Sequence, residues 1–589
     1  VTRPADPRLL LPVLISLWAG CGAPGDAPNP SGGAAAPPSA PSGTSGALFT
    51  DIAAESGLAF RYENGAAGDF HLFEIMGGGA ALFDYDRDGD LDAYLVQGNR
   101  LGPDGKPLAG PEGPLRDRLF RNDLTTDAGG VARPRFVDVT DESGIDARGY
   151  GMGVATGDYD GDGLVDLYVT NFGPNQLWRN EGDGKFRDVT GESGAGDDRW
   201  SVAAAFFDYD GDGRLDLYVG NYVDLTFATS KACFDTMRDY CSPKSYNPVP
   251  DRLLHNVGGG RFEDVTAPSQ LARSYGNGLG VVSADFDLDG RIDLYVANDG
   301  TANQCWINQG DGRFAETALL AGCAFNEYGD AEAGMGVTAA DFDRDGDEDL
   351  FMTHLRGETN TLYVNDGSAQ FLDETIRTGL GNASKPRTGF GTAWFDYDND
   401  GWLDLLVVNG AVTAIEALVR AGDPYPFHEP NQLYRNDGRG GFTETTALAG
   451  PAFEPSEISR GAAFGDVDND GDVDVLVVNI RGPVRLLRNE VGNRARWVGL
   501  SLRGDGVDRD EPGTWVGVVR DDGVTLWRRV RTEGSYASAG DPRLLVGLGA
   551  YEGPVSVRAR WPDGRTERWE QVASREYVTL RRGSGSADE

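Results

Sequence analysis

In the run GDYDGDGLVDLYVTN, the residues Asp158, Asp160, Asp162 and Asp166 fall within nine consecutive positions. Carboxylates about 5 Å apart repel one another by about 3 kcal/mol per pair at an effective dielectric of about 20, so such a cluster calls for something between its members. The same nine-residue pattern occurs seven times, starting at Asp84, Asp158, Asp208, Asp285, Asp341, Asp396 and Asp466, with Asp at positions 1, 3, 5 and 9 and Gly at position 6. Carboxylates at 1, 3, 5 and 9 with a backbone carbonyl at 7 make the all-oxygen set that a hard cation takes, six to eight donors at about 2.3–2.6 Å. Calcium suits such a turn better than magnesium, which demands stricter geometry and keeps its water.

The predicted metal ligands are Asp84, Asp86, Asp88, Asp90 and Asp92 in the first loop and Asp158, Asp160, Asp162, Leu164 and Asp166 in the second. They are Asp208, Asp210, Asp212, Arg214 and Asp216 in the third and Asp285, Asp287, Asp289, Arg291 and Asp293 in the fourth. The fifth and sixth offer Asp341, Asp343, Asp345, Asp347 and Asp349, then Asp396, Asp398, Asp400, Trp402 and Asp404. Asp466, Asp468, Asp470, Asp472 and Asp474 complete the seventh, for up to seven Ca²⁺ sites. Gly at position 6 permits the sharp bend. An apolar residue at position 8 anchors each loop except the fifth, where Glu348 stands.

Two kinds of segment flank every loop. An apolar run precedes it, containing Gly before six of the seven loops, as in GMGVATG or GLGVVSA, and an alternating run such as DLYVTN or DLFMTH follows. Period-two patterning with β-branched and aromatic residues predicts strands on both sides. A third segment (QLWRNEGDG, RLLHNVGGG) and a fourth (KFRDVT, RFEDVT) complete a four-stranded unit, the repeat expected of a propeller blade. The last unit ends at RLLRNE without its fourth strand, and the missing piece, LFTDIAAESG, sits at the other end from Leu48. Supplying it from the N-terminus closes the ring and removes exposed edges. The expected fold is all-β: a seven-bladed β-propeller over residues 47–490, a small sandwich-like β domain over 491–582 and a disordered tail at 583–589.

The repeats resemble the FG-GAP/VCBS repeats of integrin α-type propellers, whose Asp-rich hairpin loops bind calcium. The run DYCSPKSYNPVPDRLLHNVGGGRFEDVT, with RTEGSYASAGDPRLLVGLG and VSVRARWPDGRTERW in the tail, resembles more specifically the cartilage acidic protein/UnbV group and its ASPIC/UnbV module. Where that module carries an S-N-R-x-A-I-G-A stretch, this chain has GDGVDRDEPGTWVGVV, so nothing tied to that stretch carries over. The resemblance implies architecture more than activity.

The formal charge of −40 argues against nucleic acid and anionic membrane surfaces as partners. Residues 491–589, with 16 Arg against 15 Asp and Glu, are near neutral, and Arg528, Arg529, Arg531, Arg558 and Arg560 there are candidates to face an acidic partner, the propeller included. At the N-terminus, RPADPRLLLPVLISLWAGC has basic residues, a short apolar run and small residues before Cys21. It resembles a bacterial lipoprotein signal over 1–21, with Cys21 lipidated and 22–46 a disordered Pro/Gly/Ser/Ala linker. The expected location is extracytoplasmic, lipid-anchored on the periplasmic or outer side, or secreted if Cys21 is not lipidated. The remaining cysteines form two local pairs, Cys233 with Cys241 and Cys305 with Cys323, expected as disulfides in an exported protein.

His71, His255, His354 and His428 lie in dissimilar contexts, and no nucleophile elbow or phosphate loop appears. The expectation is therefore a monomeric binding or adhesion scaffold for a protein or glycan ligand, with no catalytic residues. Carbohydrate binding is the alternative, and a glycan-acting enzyme stands behind it. Insertions at 100–118, 223–250 and 411–430 interrupt the repeat and are the places for a ligand.

Overall fold

The computed structural model describes residues 46–589 except 110–114, 128, 235–237, 507 and 589. The lipidation candidate Cys21, the signal segment and residues 22–45 of the linker lie outside the described residues.

Seven four-stranded antiparallel sheets account for the repeats. Their first strands are Ala80–Phe83, Gly151–Gly157, Ser201–Phe207, Gly278–Ala284, Val337–Ala340, Gly389–Phe395 and Ser459–Gly465. Each packs beside the next, and the seventh beside the first, so the circuit closes. In six sheets the chain lays four strands in sequence order. In the seventh, Phe49–Asp51 pairs with Arg485–Asn489, Phe49 opposite Asn489, and supplies the missing strand. Second strands such as Asp166–Asn171 and Asp293–Asn298 are buried at every position, because each sheet packs between two others and has no solvent face. Their apolar continuity follows from that, and each buried Leu or Val contributes about 1.5–3 kcal/mol.

Beyond the ring, Arg496–Arg503 pairs antiparallel with Leu544–Gly549 and parallel with Tyr577–Arg581. A second sheet orders Thr525–Arg529, Trp515–Arg520, Val555–Arg560, Thr566–Val572 and Ser586–Ala587. Val498, Leu500, Val516, Val518, Val546, Val557 and Trp561 fill the core between them. The expected disordered tail is thereby corrected. Residues 583–588 are ordered, since Ser586–Ala587 covers the edge of Thr566–Val572, Ser586 Oγ donates to Arg568 O at 3.0 Å and Asp588 pairs with Arg558.

Residues 532–541 leave this domain and run along the mouths of the inner strands. Ala539 N donates to Ala80 O at 2.9 Å, Leu82 N to Ala539 O at 3.1 Å, Val154 N to Ala537 O at 3.1 Å and Val337 N to Ser535 O at 3.0 Å. Ser535 Oγ donates to Ala462 O at 2.8 Å and accepts from Thr392 N at 3.2 Å, while Glu533 accepts from Ser283. One segment thus touches six of the seven inner strands and plugs the axis of the ring. Tyr536, fully buried, donates to Met76 O at 2.7 Å.

The cysteines divide. Cys233 and Cys241 form a disulfide, whereas Cys305 and Cys323 are free thiols, against expectation. Both are fully buried in an apolar core with Ala318, Ala321, Tyr295 and Tyr363. There, burial and the hydrogen-bonded Cys305 thiol push Cys323 well above the usual thiol range, and packing holds the pair together without a covalent link.

Candidate metal centres

Each aspartate loop joins the first and second strands of its sheet, and its backbone is shaped by its own carboxylates. The carboxylate at position 1 accepts N–H groups further along the turn. Asp158 Oδ1 takes Gly161 N at 2.8 Å and Asp162 N at 3.1 Å, and its Oδ2 takes Gly163 N at 2.8 Å. Asp208 repeats the set, with Gly211 and Gly213 at 2.8 and 2.9 Å. The position 5 carboxylate accepts the N–H of position 7, as Asp162 does from Leu164, Asp212 from Arg214, Asp289 from Arg291 and Asp400 from Trp402, all at 2.9 Å. Gly at 6 has φ between 83° and 101° in all seven loops, which is why no other residue stands there. Position 4 is left-handed too, at Arg87, Leu288, Arg344, Asn399 and Asn469.

These turns bring the predicted ligands together. Oxygens of Asp84, Asp86 and Asp92 lie within 4.8 Å of one another, as do those of Asp158, Asp160 and Asp166, of Asp208, Asp210 and Asp212, and of Asp285, Asp287 and Asp289. His255 Nδ1 joins the third loop, 3.1 Å from Asp216 Oδ1 and 3.5 Å from Asp210 Oδ2. The sequence carries the signal for it. The third strands carry RN in the first, second, sixth and seventh sheets, and His255 takes the arginine's place. Arg179 reaches Asp160 at 2.8 Å, and Arg435 reaches Asp398 at 2.8 Å and Asp400 at 2.9 Å.

Position 9 does a second job. Asp92, Asp166, Asp216, Asp293, Asp349, Asp404 and Asp474 are at most 1% exposed. Oδ1 of each accepts the backbone N–H of the asparagine at or near the end of the third strand, at 2.7–2.9 Å. That asparagine's Nδ2 then crosses to the preceding sheet and donates to the position 2 carbonyl of its loop. Asn180 meets Tyr85 O at 2.8 Å, Asn256 meets Tyr159 O at 2.7 Å and Asn308 meets Tyr209 O at 2.7 Å. Asn365, Asn436 and Asn489 continue the series, and Asn122, on Val467 O at 2.9 Å, closes it. Seven loops and seven asparagines form one closed chain of clamps.

The donor set fits a hard cation. Buried oxygens without partners include Asp285 Oδ1, Asp341 Oδ2, Asp347 Oδ1, Asp349 Oδ2, Asp468 Oδ1 and Asp472 Oδ1. A buried acceptor left unpaired costs about 1–3 kcal/mol, more when charged. Burial, reinforced by neighbouring carboxylates, pushes Asp158 to about 6, Asp341 and Asp466 to about 7 and Asp468 to about 8.

The C-terminal domain covers the later loops. Glu348, the exception at position 8, is 1% exposed and receives Arg529 Nε at 2.5 Å and the Arg531 guanidinium. Arg560 stands 3.4 Å from Asp285 Oδ2. Arg543 donates to Asn469 Oδ1 at 2.7 Å and Asp466 O at 3.1 Å, and Tyr577 OH to Asp466 Oδ2 at 2.9 Å. Of the arginines singled out in the tail, Arg529, Arg531 and Arg560 face the propeller's acidic loops, and Arg558 pairs within its own domain. His354 is fully buried, and desolvation lowers it to about 4. Tyr425 and Phe427 of the third insertion pack inward with Tyr240.

Comparison with known proteins agrees with this architecture. The FG-GAP-like repeat model matches residues 158–219, 285–352, 346–407 and 418–494, and the ASPIC and UnbV model matches 504–587. Cartilage acidic protein 1 of Homo sapiens is 27% identical over 319 residues, covering 52% of this chain and 43% of that protein. The Mus musculus protein is 28% identical over 188 residues, covering 30% of this chain and 27% of the relative. The match thus spans less than half the length of these curated relatives. Among solved structures, a lectin from Burkholderia pseudomallei aligns over 70% of this chain and 96% of its own at 11% identity and TM-score 0.40. An Agrocybe aegerita lectin aligns over 69% and 86% at 14% identity and TM-score 0.35. Scores this low say nothing about ligands. The matched repeats and the domain that follows them place this chain among the FG-GAP-repeat proteins with an ASPIC/UnbV domain, and it is similar to cartilage acidic protein 1.

Proposed function

We propose that this protein is a calcium-dependent binding scaffold that works outside the cytoplasm, anchored to a bacterial membrane through a lipid on Cys21. The observation that supports the calcium reading is the set of buried carboxylate oxygens in the later loops that have no partner. A dication in each loop gives them one and offsets the repulsion within the cluster. The clamps and the axial plug make the ring rigid, and a rigid frame suits presentation of insertion loops to a protein or glycan. We read the chain as a binder rather than an enzyme, because its clustered carboxylates shape turns and face cations. A monomer is expected in solution.

Thermal unfolding with and without Ca²⁺ tests the calcium reading. A ligand bound only by the folded state at a hundredfold excess over Kd stabilises by about 2.7 kcal/mol per site, so the midpoint in Ca²⁺ should exceed that in EDTA. Equal midpoints would overturn it. For the anchor, Cys21→Ala should move the protein from the membrane to the soluble fraction; unchanged membrane association would refute lipidation there.

A further inference from the structure

At the end of the blades away from the aspartate loops, a cavity of about 290 Å³ opens between the fifth, sixth and seventh sheets. Arg356 follows the second strand of the fifth sheet, and Arg387 precedes the first strand of the sixth. The insertion at 411–430 contributes Ile415, Leu418, His428 and Glu429. Glu429 is 3% exposed. Its Oε2 accepts from Thr388 N at 2.8 Å, while Oε1 has no hydrogen-bond partner among the described residues. Arg356 Nη1 stands 3.7 Å from that Oε1, outside hydrogen-bond range. Among the described residues Arg387 donates only through Nε, to Pro430 O at 3.2 Å, which leaves its two terminal nitrogens without a partner there. The His428 ring is already engaged, by Ser456 Oγ at 2.7 Å and Asp423 at 2.8 Å. A chain of net charge −40 thus gathers two guanidiniums with unused N–H donors, one of them ion-paired to Glu429, around a single carboxylate.

We propose that this cavity binds a hydroxycarboxylate of monosaccharide size, such as the hexuronate unit of an acidic glycan. The guanidiniums present paired N–H donors to the carboxylate, Glu429 Oε1 accepts a ring hydroxyl, and Ile415 and Leu418 pack against the C–H face of the ring. An α-amino acid carries the same carboxylate, and its ammonium would be attracted by Glu429 but repelled by the Arg356 guanidinium 3.7 Å from it, so glutamate is the competitor in the titration. A neutral hydroxyl meets no such repulsion. The proposal deepens the binding-scaffold reading and rests on it.

Calorimetric titration of the full chain in Ca²⁺ with glucuronate, glucose and glutamate tests it. Saturable glucuronate binding in the millimolar range or tighter is expected, with glucose at least tenfold weaker. Arg356→Gln, at a side chain that holds no hydrogen bond, should weaken glucuronate at least tenfold, and Glu429→Gln should weaken it as well. Arg387→Gln provides a second variant, with its thermal midpoint recorded to confirm folding. Absence of saturation by glucuronate, tighter binding of glutamate, or unchanged affinity in Arg356→Gln would overturn the pocket. A Ca²⁺-dependent midpoint retained on the same samples would leave the scaffold reading standing.

Discussion

At the scale of single residues, Glu348 shows how one side chain that breaks a repeat can carry an interface. Its neighbours in the pattern are apolar because they anchor a loop, and here the position instead receives Arg529 and Arg531 from the following domain, nearly out of water. Removing one partner of a buried pair leaves the other charge uncompensated, at a cost of about 3–5 kcal/mol. Glu348→Gln should therefore loosen the C-terminal domain, read as faster limited proteolysis between the two parts and a lower denaturant midpoint. The asparagine clamps make a second case. Asn308 Nδ2 donates to Tyr209 O and, at 3.1 Å, to Ile292 O, both buried. Asn308→Ala strands two carbonyls, and a loss of about 1–3 kcal/mol each in chemical denaturation is expected.

At the scale of elements, Gly79, Gly153, Gly336 and Gly461, ahead of four of the loops, lie against the plug. A Cβ on Gly79 would sit 2.0 Å from Ala537 O, and one on Gly461 would sit 2.6 Å from Ser538 Oγ. The plug itself bends through left-handed conformations at Ser535 and Ala537, with φ of 61° and 52°; such strain persists only where surroundings over-determine it. Tyr536 contributes to that hold, its ring edge-on at 4.8 Å to Phe390, over whose face the Arg460 guanidinium lies. Tyr536→Ala opens a cavity on the axis and should cost about 3–5 kcal/mol, the range for large aromatic truncations. Urea unfolding would check it. Gly79→Ala should destabilise through the opposite fault, overpacking, with the plug displaced.

At the scale of the whole molecule, the acidic charge couples stability to pH. Asp117, fully buried, accepts from Tyr94 OH at 2.7 Å and Gln97 N at 2.8 Å, and desolvation raises it to about 7; Asp251 is raised to about 7 for the same reason. A carboxyl raised in the folded state favours the protonated form there. Its contribution is full below about pH 4, the unfolded value, and is lost as pH rises through about 7. In EDTA the thermal midpoint should fall between pH 5 and pH 8, and Asp117→Asn should flatten that fall. Ca²⁺ should oppose the part due to the loops, since it binds their ionised form. A midpoint that climbs with pH in EDTA would contradict this account.

The repeat, the strands around it, the convergence of the loop carboxylates and the pairing of the two ends of the repeat array in the seventh sheet could all be read from the order of residues. Those are local periodicities and turn chemistry, in which spacing along the chain fixes spacing in space. The tertiary structure alone decided the rest. The role of Glu348, the free state of Cys305 and Cys323, the clamps between sheets and the seating of residues 532–541 on the ring axis all depend on which distant side chains share a buried volume. Partner choice in such a volume is set by packing and by the cost of unpaired charge, neither of which any stretch of sequence records by itself.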